Sequence, residues 1–269
     1  MPLAVCATPI GNLEDVTLRV LRELAEADVV LCEDTRHTRV LLERHGIAAR
    51  KLLSYHRHNE KRRAVEVLDL LQAGVRMALV SDAGLPGIND PGVRLVAAAR
   101  EAGIEVTVLP GASAAVTAVV ASGFAAERFQ FLGYLPRGER ALGALWHELG
   151  AWPHAAVAYE SPQRLPEALR TLAEALPRRR VAVCRELTKL FEEVVFGPAA
   201  EVAEQFRNAP KGEIALVVGP ASVERHVGDD EAVAAVVELV AAGVARRQAV
   251  DVVARVSGLS RKRLYDTSL

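Results

Sequence analysis

Residues 76–92 read RMALVSDAGLPGINDPG. Met77, Ala78, Leu79 and Val80 are apolar without a break, so a strand here has no wet face and belongs inside a covered sheet. Then the texture inverts. Pro86, Pro91, Gly84, Gly87 and Gly92 crowd into the next stretch, more punctuation than a link from strand to helix requires. Open α/β sheets take their ligands beyond the carboxyl ends of the strands. Asp82 stands at that tip, where a carboxylate can accept hydrogen bonds from hydroxyls or an amine. The plainer alternative is an Asx turn in which Asp82 bonds its own loop.

Working outward, strand and helix alternate on both sides. LAVCAT (3–8), DVVLCE (28–33) and EVTVLP (105–110) are further, mainly apolar strands. TLRVLRELAEA, TRVLLERHG, NEKRRAVEVLDLLQAG, VRLVAAAREAG and SAAVTAVVASG carry helical spacing, with Asn59 as an N-cap and Gly46 and Gly74 beyond helix ends. Buried strands with helices between them predict a mainly parallel α/β sheet. Near residues 134–140 (YLPRGER) a linker is expected. Beyond it, AAVAYES, RVAVCREL, EEVVFG and EIALVVG predict a second, mixed sheet with some antiparallel pairing, with helices over RLPEALRTLAEAL and AAEVAEQF. A loop, PASVERHVGDD, leads to a helical tail in which QAVDVVARVSGLSRKRLY reads as helix, Ser-Gly turn, helix. The predicted architecture is two α/β domains, 1–135 and 136–220, and a small helical extension over 229–269.

Composition sets limits. Half of the 269 residues (51%) are hydrophobic and 25% charged, which is foldable and globular. The net charge of -1 gives no general attraction to phosphate, so a nucleic-acid role needs a local basic patch. Cys6, Cys32 and Cys184 form no C-x-x-C pair and read as buried reduced thiols, with no metal role. No signal peptide and no membrane span is legible, and a cytoplasmic protein is expected.

Two more loops follow strand ends on the same edge. ATPIGN makes a tight turn at Pro9 and Gly11, and is neither G-x-G-x-x-G nor a Walker loop. PGASAAVTA opens a helix with small residues, leaving room for a flat ring and free N–H groups to meet it. Most unusual is LCEDTRHTR, from Leu31, where a buried strand ends in a crowd of charge. Glu33 and Asp34 are candidates to accept hydrogen bonds or take a proton, and Arg36 and Arg39 to pair with anions. His37 and His56 are weaker bases. A structural alternative pairs Glu33 with Arg36 and lets Thr35 or Asp34 cap the helix.

Together the loops resemble the S-adenosylmethionine-binding loops of the tetrapyrrole methylase superfamily, the class III methyltransferases. More narrowly, ATPIGNL, CEDTRHTRVLL, SYHRHNE, SDAGLPGINDPG, GYLPR, YESPQRL and RELTKLFEE resemble the ribosomal RNA small subunit methyltransferase I family, over almost the whole chain. Departures are small: Leu85 where the family usually has Thr, Asn89 for Ser, Ala112 for Pro and Gln163 for His.

The resemblance implies a homodimer, with S-adenosylmethionine bound in the interdomain cleft. Its cofactor contacts would be Pro9, Ser81, Asp82, Ala83, Gly84, Gly87, Ile88, Ser113 and Ala114, with Tyr159 and Leu187 closing the pocket. It implies 2'-O-methylation of a cytidine in the decoding region of 16S rRNA. For that substrate Glu33 and Asp34 would bond the ribose or take its proton and Arg36 and Arg39 would pair with backbone phosphates, which makes Glu33, Asp34 and Arg36 the expected catalytic residues. Glu160 and Lys189 also belong to motifs that could face the cleft.

Arg261, Lys262 and Arg263 open the last helix, and Arg246 and Arg247 precede the one before. They offer RNA contact or simply a solvated face, and Arg62, Arg63, Arg137 and Arg140 could extend a basic track. Two rivals remain: a tetrapyrrole methylase, which has no use for the basic tail, and a non-enzymatic nucleic-acid-binding sensor of the cofactor.

Overall fold

The computed structural model of the chain describes residues 2–124, 126–221, 229–257 and 259–268, in two compact units, Met1–Ala221 and Ser222–Leu269. In the larger unit, β1 (Leu3–Cys6), β2 (Val29–Cys32), β3 (Leu52–Ser54), β4 (Met77–Leu79) and β5 (Val106–Leu109) form a sheet in the order β3-β2-β4-β1-β5. All its pairings are parallel. Parallel neighbours require crossovers, and α1 (Leu18–Glu26), α2 (Thr35–Arg44), α3 (Glu60–Gln72) and α4 (Val93–Glu101) supply them.

Successive side chains go to opposite faces. Ala4, Cys6, Val30 and Ala78 meet Val20 and Leu24 of α1 and Leu41 and Leu42 of α2. Leu3, Val5, Leu31 and Met77 meet Val67 and Leu71 of α3 and Leu95 and Ala99 of α4. With both faces covered, no position selects for a polar side chain, which is why these strands are uniformly apolar.

α5 (Ala114–Ala121) serves a different sheet. Its Ala115, Ala118 and Val119 pack against Ala155, Val157, Ala182, Cys184, Ala215 and Val217. Those residues come from β7 (Ala155–Glu160), β8 (Arg180–Arg185) and β10 (Ile214–Val218), which with β6 (Phe129–Tyr134) and β9 (Glu193–Pro198) make the order β6-β7-β10-β8-β9. β6 pairs parallel with β7 and the remaining pairings are antiparallel, the mixed sheet that the sequence predicts. Its other face lies under α6 (Glu139–Gly150), α7 (Leu165–Ala175) and α8 (Ala199–Gln205). There the fully buried Trp146 donates its indole N–H to Thr171 Oγ1 at 2.9 Å.

Several expectations need correction. β3, β6 and α6 are not anticipated, and β6 pairs into the second sheet, so a division at 135/136 cuts on the wrong side of that strand. Asn59 occupies the N-cap position of α3 but makes no capping bond. It accepts from the His56 N–H at 2.8 Å and donates to the Ser54 carbonyl at 3.1 Å, tying down the link after β3. The three cysteines are free and buried, as expected. Burial pushes the thiols of Cys6 and Cys184 up to about 12, which leaves them unreactive.

The smaller unit comprises α9 (Asp229–Ala241), α10 (Arg246–Ser257) and α11 (Arg261–Thr267). Ala232, Val236, Ala249, Val250, Val253 and Leu264 form a core of its own. Arg246 and Arg247 begin α10 instead of preceding it, and Arg261 pairs with Asp251. Gly258 of the expected turn and residues 222–228 of the expected loop lie outside the described residues. Among the described residues no helix is long and apolar enough to cross a membrane.

Candidate active site

Strand order decides which loops meet. β4 lies between β2 and β1, and β1 between β4 and β5. The Gly-rich loop after β4 is therefore flanked by the charged turn after β2 and by ATPIGN after β1, with the start of α5 beyond. Hydrogen bonds join these neighbours. The Thr8 N–H donates to the Gly84 carbonyl at 2.8 Å and the Gly84 N–H to the Thr8 carbonyl at 3.0 Å. The Thr8 hydroxyl donates to the Ser81 carbonyl at 3.0 Å. On the other flank the Asp34 N–H donates to Asp82 Oδ1 at 3.1 Å. Asp82 thus commits an oxygen to the neighbouring turn and not to its own loop.

A cleft of about 330 Å³ opens between this edge and the second sheet, within the ~300–1,000 Å³ usual for small-molecule sites. Of the residues expected to contact the cofactor, Ala83, Gly84, Ile88, Ser113 and Ala114 line it from the first half of the chain, and Tyr159 and Leu187 from the second. Pro9, Ser81, Asp82 and Gly87 do not line it: Ile10 forms the wall beside the buried Pro9, and the Ser81 hydroxyl is turned onto the Gly84 carbonyl at 3.2 Å.

The walls also include Leu85, Asn89, Asp90, Tyr134 and Glu213, which sequence reasoning leaves out. Asn89 and Asp90 sit in the very loop it singles out, and Tyr134 in GYLPR. Glu213 carries no sequence signal. Tyr134 and Tyr159 meet edge-on at 5.7 Å.

These walls suit a flat ring with a polar chain. Ile10, Leu85, Ile88 and Leu187 are apolar. Asn89 Nδ2 is buried without a hydrogen-bond partner, an orphan donor that a ligand acceptor would satisfy. Gly84 turns the backbone at φ +77, a conformation that favours glycine. The residues present therefore fit S-adenosylmethionine.

The charged turn resolves into unlike parts. Asp34 is the N-cap of α2, accepting from the Arg36 N–H at 2.8 Å, and it holds the Arg36 guanidinium through Nε at 3.2 Å and Nη2 at 2.8 Å. Those bonds lower its carboxyl to about 2, which makes it a weak base. Arg36 pairs with Asp34 and not with Glu33. Glu33 is half-buried, and burial, then the Asp82 charge, raise its carboxyl, while Arg57 and His56 pull it down. Burial, then Glu33 and Asp82, push Asp90 up to about 6. Arg39 and His37 are exposed, and His56 is half-buried.

Glu160 and Lys189 are both occupied. Glu160 Oε2 lies 2.8 Å from Arg164 Nη2, yet that nitrogen donates to the carbonyls of Leu135 and Pro136, each at 2.8 Å. Arg164 thereby ties the connection after β6 to the one after β7. Lys189 Nζ bridges Glu186 at 2.8 Å and Glu213 at 2.9 Å. Next to it the Asn12 N–H donates to Thr188 Oγ1 at 3.0 Å, joining the first loop to the second sheet.

Two α/β sheets joined through one helix, with a ligand cleft at the carboxyl edge of the parallel one, define a methylase of the tetrapyrrole type. The sequence profile of the tetrapyrrole (corrin/porphyrin) methylases matches residues 2–203. A uroporphyrin-III C-methyltransferase from Thermus thermophilus, solved with S-adenyl homocysteine, shares the fold at a TM-score of 0.53 and 20% identity, over 81% of this chain and 96% of that one.

Two relatives named ribosomal RNA small subunit methyltransferase I lie nearer. That of Halalkalibacterium halodurans is 47% identical over 80% of this chain and 75% of that protein. That of Neisseria meningitidis serogroup A is 40% identical over 99% of this chain and 92% of its own length. The chain belongs to the ribosomal RNA small subunit methyltransferase I family, and it is a methyltransferase.

Proposed function

We propose that this protein methylates the ribose 2'-hydroxyl of a cytidine in the decoding region of 16S rRNA, using S-adenosylmethionine and acting in the cytoplasm as a homodimer. The observation that carries the reading is the cleft at the loop edge, with its orphan Asn89 donor, in a chain that matches the Neisseria relative almost end to end.

When bound, the cofactor supplies a methyl group on a positively charged sulfur. Gly84 and its neighbours bring main-chain groups close to it. Ser113 and Ala114 offer free N–H groups at the start of α5. Tyr159 and Leu187 cover it from the second sheet and exclude water. An in-line approach by the hydroxyl is a matter of positioning. Arg36 and Arg39, exposed on α2, stand where phosphates of the strand can pair with them. Asp34 aims Arg36 by its two-point grip, and Asp82 fixes Asp34 in turn. The cationic residues of α10 and α11 add a second basic surface for RNA.

Labelled S-adenosylmethionine and unmodified small ribosomal subunits test the reading, with ribose and base methylation separated by nuclease digestion and mass spectrometry. A single new 2'-O-methylcytidine in the decoding region is expected. Cofactor binding without transfer to subunits or rRNA would instead favour a small-molecule methylase or a sensor.

A further inference from the structure

Methylating a hydroxyl requires a place for its proton, and the carboxylates around the cleft differ in their freedom to receive it. Asp34 is locked into its cap and its grip on Arg36. Asp82 accepts from Asp34. Glu160 lies against Arg164, and Glu213 pairs with Lys189. Asp90 differs from all of them: it lines the cleft and, among the described residues, makes no ion pair.

Its position is held from three sides. Arg57 Nη2 donates to the Asn89 carbonyl at 3.1 Å, anchoring the loop one residue before Asp90. Asn89 itself is left-handed at φ 64, a conformation uncommon outside glycine and found where a site fixes its backbone. The Asn89 amide lies so close to Gly133 of β6 that a Cβ there would stand 3.2 Å from Asn89 Oδ1. Tyr134 and Tyr159 face Asp90 across the cleft closely enough for its charge to act on both phenols.

We propose that Asp90 is the proton acceptor of the transfer, an assignment that rests on the methyltransferase reading above. The attacking hydroxyl gives its proton to an Asp90 oxygen, and the electron pair so released forms the bond to the methyl carbon. The pair of the broken carbon–sulfur bond stays on sulfur and cancels its positive charge. Glu33 does not line the cleft, so it acts through Asp90, as a positioning residue that makes the acceptor more basic.

The groups facing Asp90 fall on two sides. Burial raises it most, then Glu33 from the turn after β2 and Asp82 from its own loop, while Arg57 and Ser81 lower it. His56 acts on Glu33. The net result, up to about 6, is an acceptor ionised at neutral pH yet stronger than an ordinary aspartate, the balance that general-base catalysis favours.

The test combines Asp90→Asn, Asp90→Glu and Glu33→Gln. In the free protein, carbon-13 carboxyl titration by NMR should give Asp90 a midpoint of about 6, lower in Glu33→Gln. Calorimetric cofactor affinity in Asp90→Asn should stay within about threefold of wild type, while single-turnover transfer to small subunits falls about 100-fold or more. Wild-type transfer should rise with pH up to the midpoint and then level off, the break moving to lower pH in Glu33→Gln. Asp90→Glu should recover part of the rate.

Transfer by Asp90→Asn within about tenfold of wild type and with an unchanged pH profile would overturn the assignment alone, as would a titration midpoint of about 4. A wild-type protein that binds cofactor but transfers nothing to subunits would overturn the functional reading and this assignment with it.

Discussion

Thr8 and Gly84 exchange two main-chain hydrogen bonds, 2.8 and 3.0 Å long, between loops 76 residues apart in sequence. This miniature antiparallel bridge holds Gly84 in the wall of the cleft, with Gly84 at φ +77. Gly84→Ala is expected to cost about 1–2 kcal/mol, the usual penalty for a side chain in the left-handed region, and to weaken cofactor binding measured calorimetrically. Gly143→Ala is the contrast. It lies inside α6 with open space where its Cβ would go, and thermal unfolding should show a gain of about 0.5–1 kcal/mol.

Asp34 gives a prediction with a sign in pH. Its folded carboxyl lies at about 2, below its ordinary value of 3.8. The stability it contributes is present above the unfolded value and is lost as pH falls through the folded one. Asp34→Ala should therefore melt below wild type at neutral pH, and the difference should shrink as unfolding is followed from pH 5 towards about 2. A gap that stays constant with pH would mean that the cap and the Arg36 pair are not formed.

Arg76 grips Glu23 through Nε at 3.0 Å and Nη2 at 2.9 Å, and Glu23 is almost wholly buried. Removing the cation leaves that charge without its partner inside the first half of the fold. Arg76→Met should cost about 3 kcal/mol in urea unfolding, at the low end for such pairs because the guanidinium is part-exposed. The further change Glu23→Gln in that background should restore some of the loss.

Arg164→Met frees the Leu135 and Pro136 carbonyls and leaves Glu160 buried alone. Loss of about 3 kcal/mol is expected at neutral pH. Burial already raises the Glu160 carboxyl, and without Arg164 it rises further. The folded state then holds its proton more tightly than the unfolded one, so the deficit should grow with pH above about 4.3 and narrow in acid. Denaturant midpoints across that range measure it.

Much of this architecture was legible because burial leaves a compositional mark. The inner strands β1, β2 and β4 are covered on both faces and read as unbroken apolar runs. β3 and β6 are edge strands, only partly buried, and LLS or FQFLGY carries no such mark. The cofactor loops announce themselves through glycine and proline, since chain reversal near a ligand constrains the backbone locally.

Charge was harder to read. Asp34 beside Arg36 is compatible with a cap or with catalysis, and only the fold shows both of its oxygens bonded. Asp90 lies in plain view in the sequence. Burial raises its carboxyl most, and then Glu33, which strand order rather than chain proximity brings beside it.

α5 has a consequence for how the chain is made. It follows the last strand of the first sheet, yet its Ala115, Ala118 and Val119 find their cover on strands that end at Val218. A ribosome therefore releases a finished parallel sheet trailing an apolar helix whose cover is not complete until about a hundred further residues have emerged. Over that interval the nascent chain presents a sticky surface that chaperones can recognise. A fragment ending after α5 would keep that surface permanently, and aggregate where the longer chain folds.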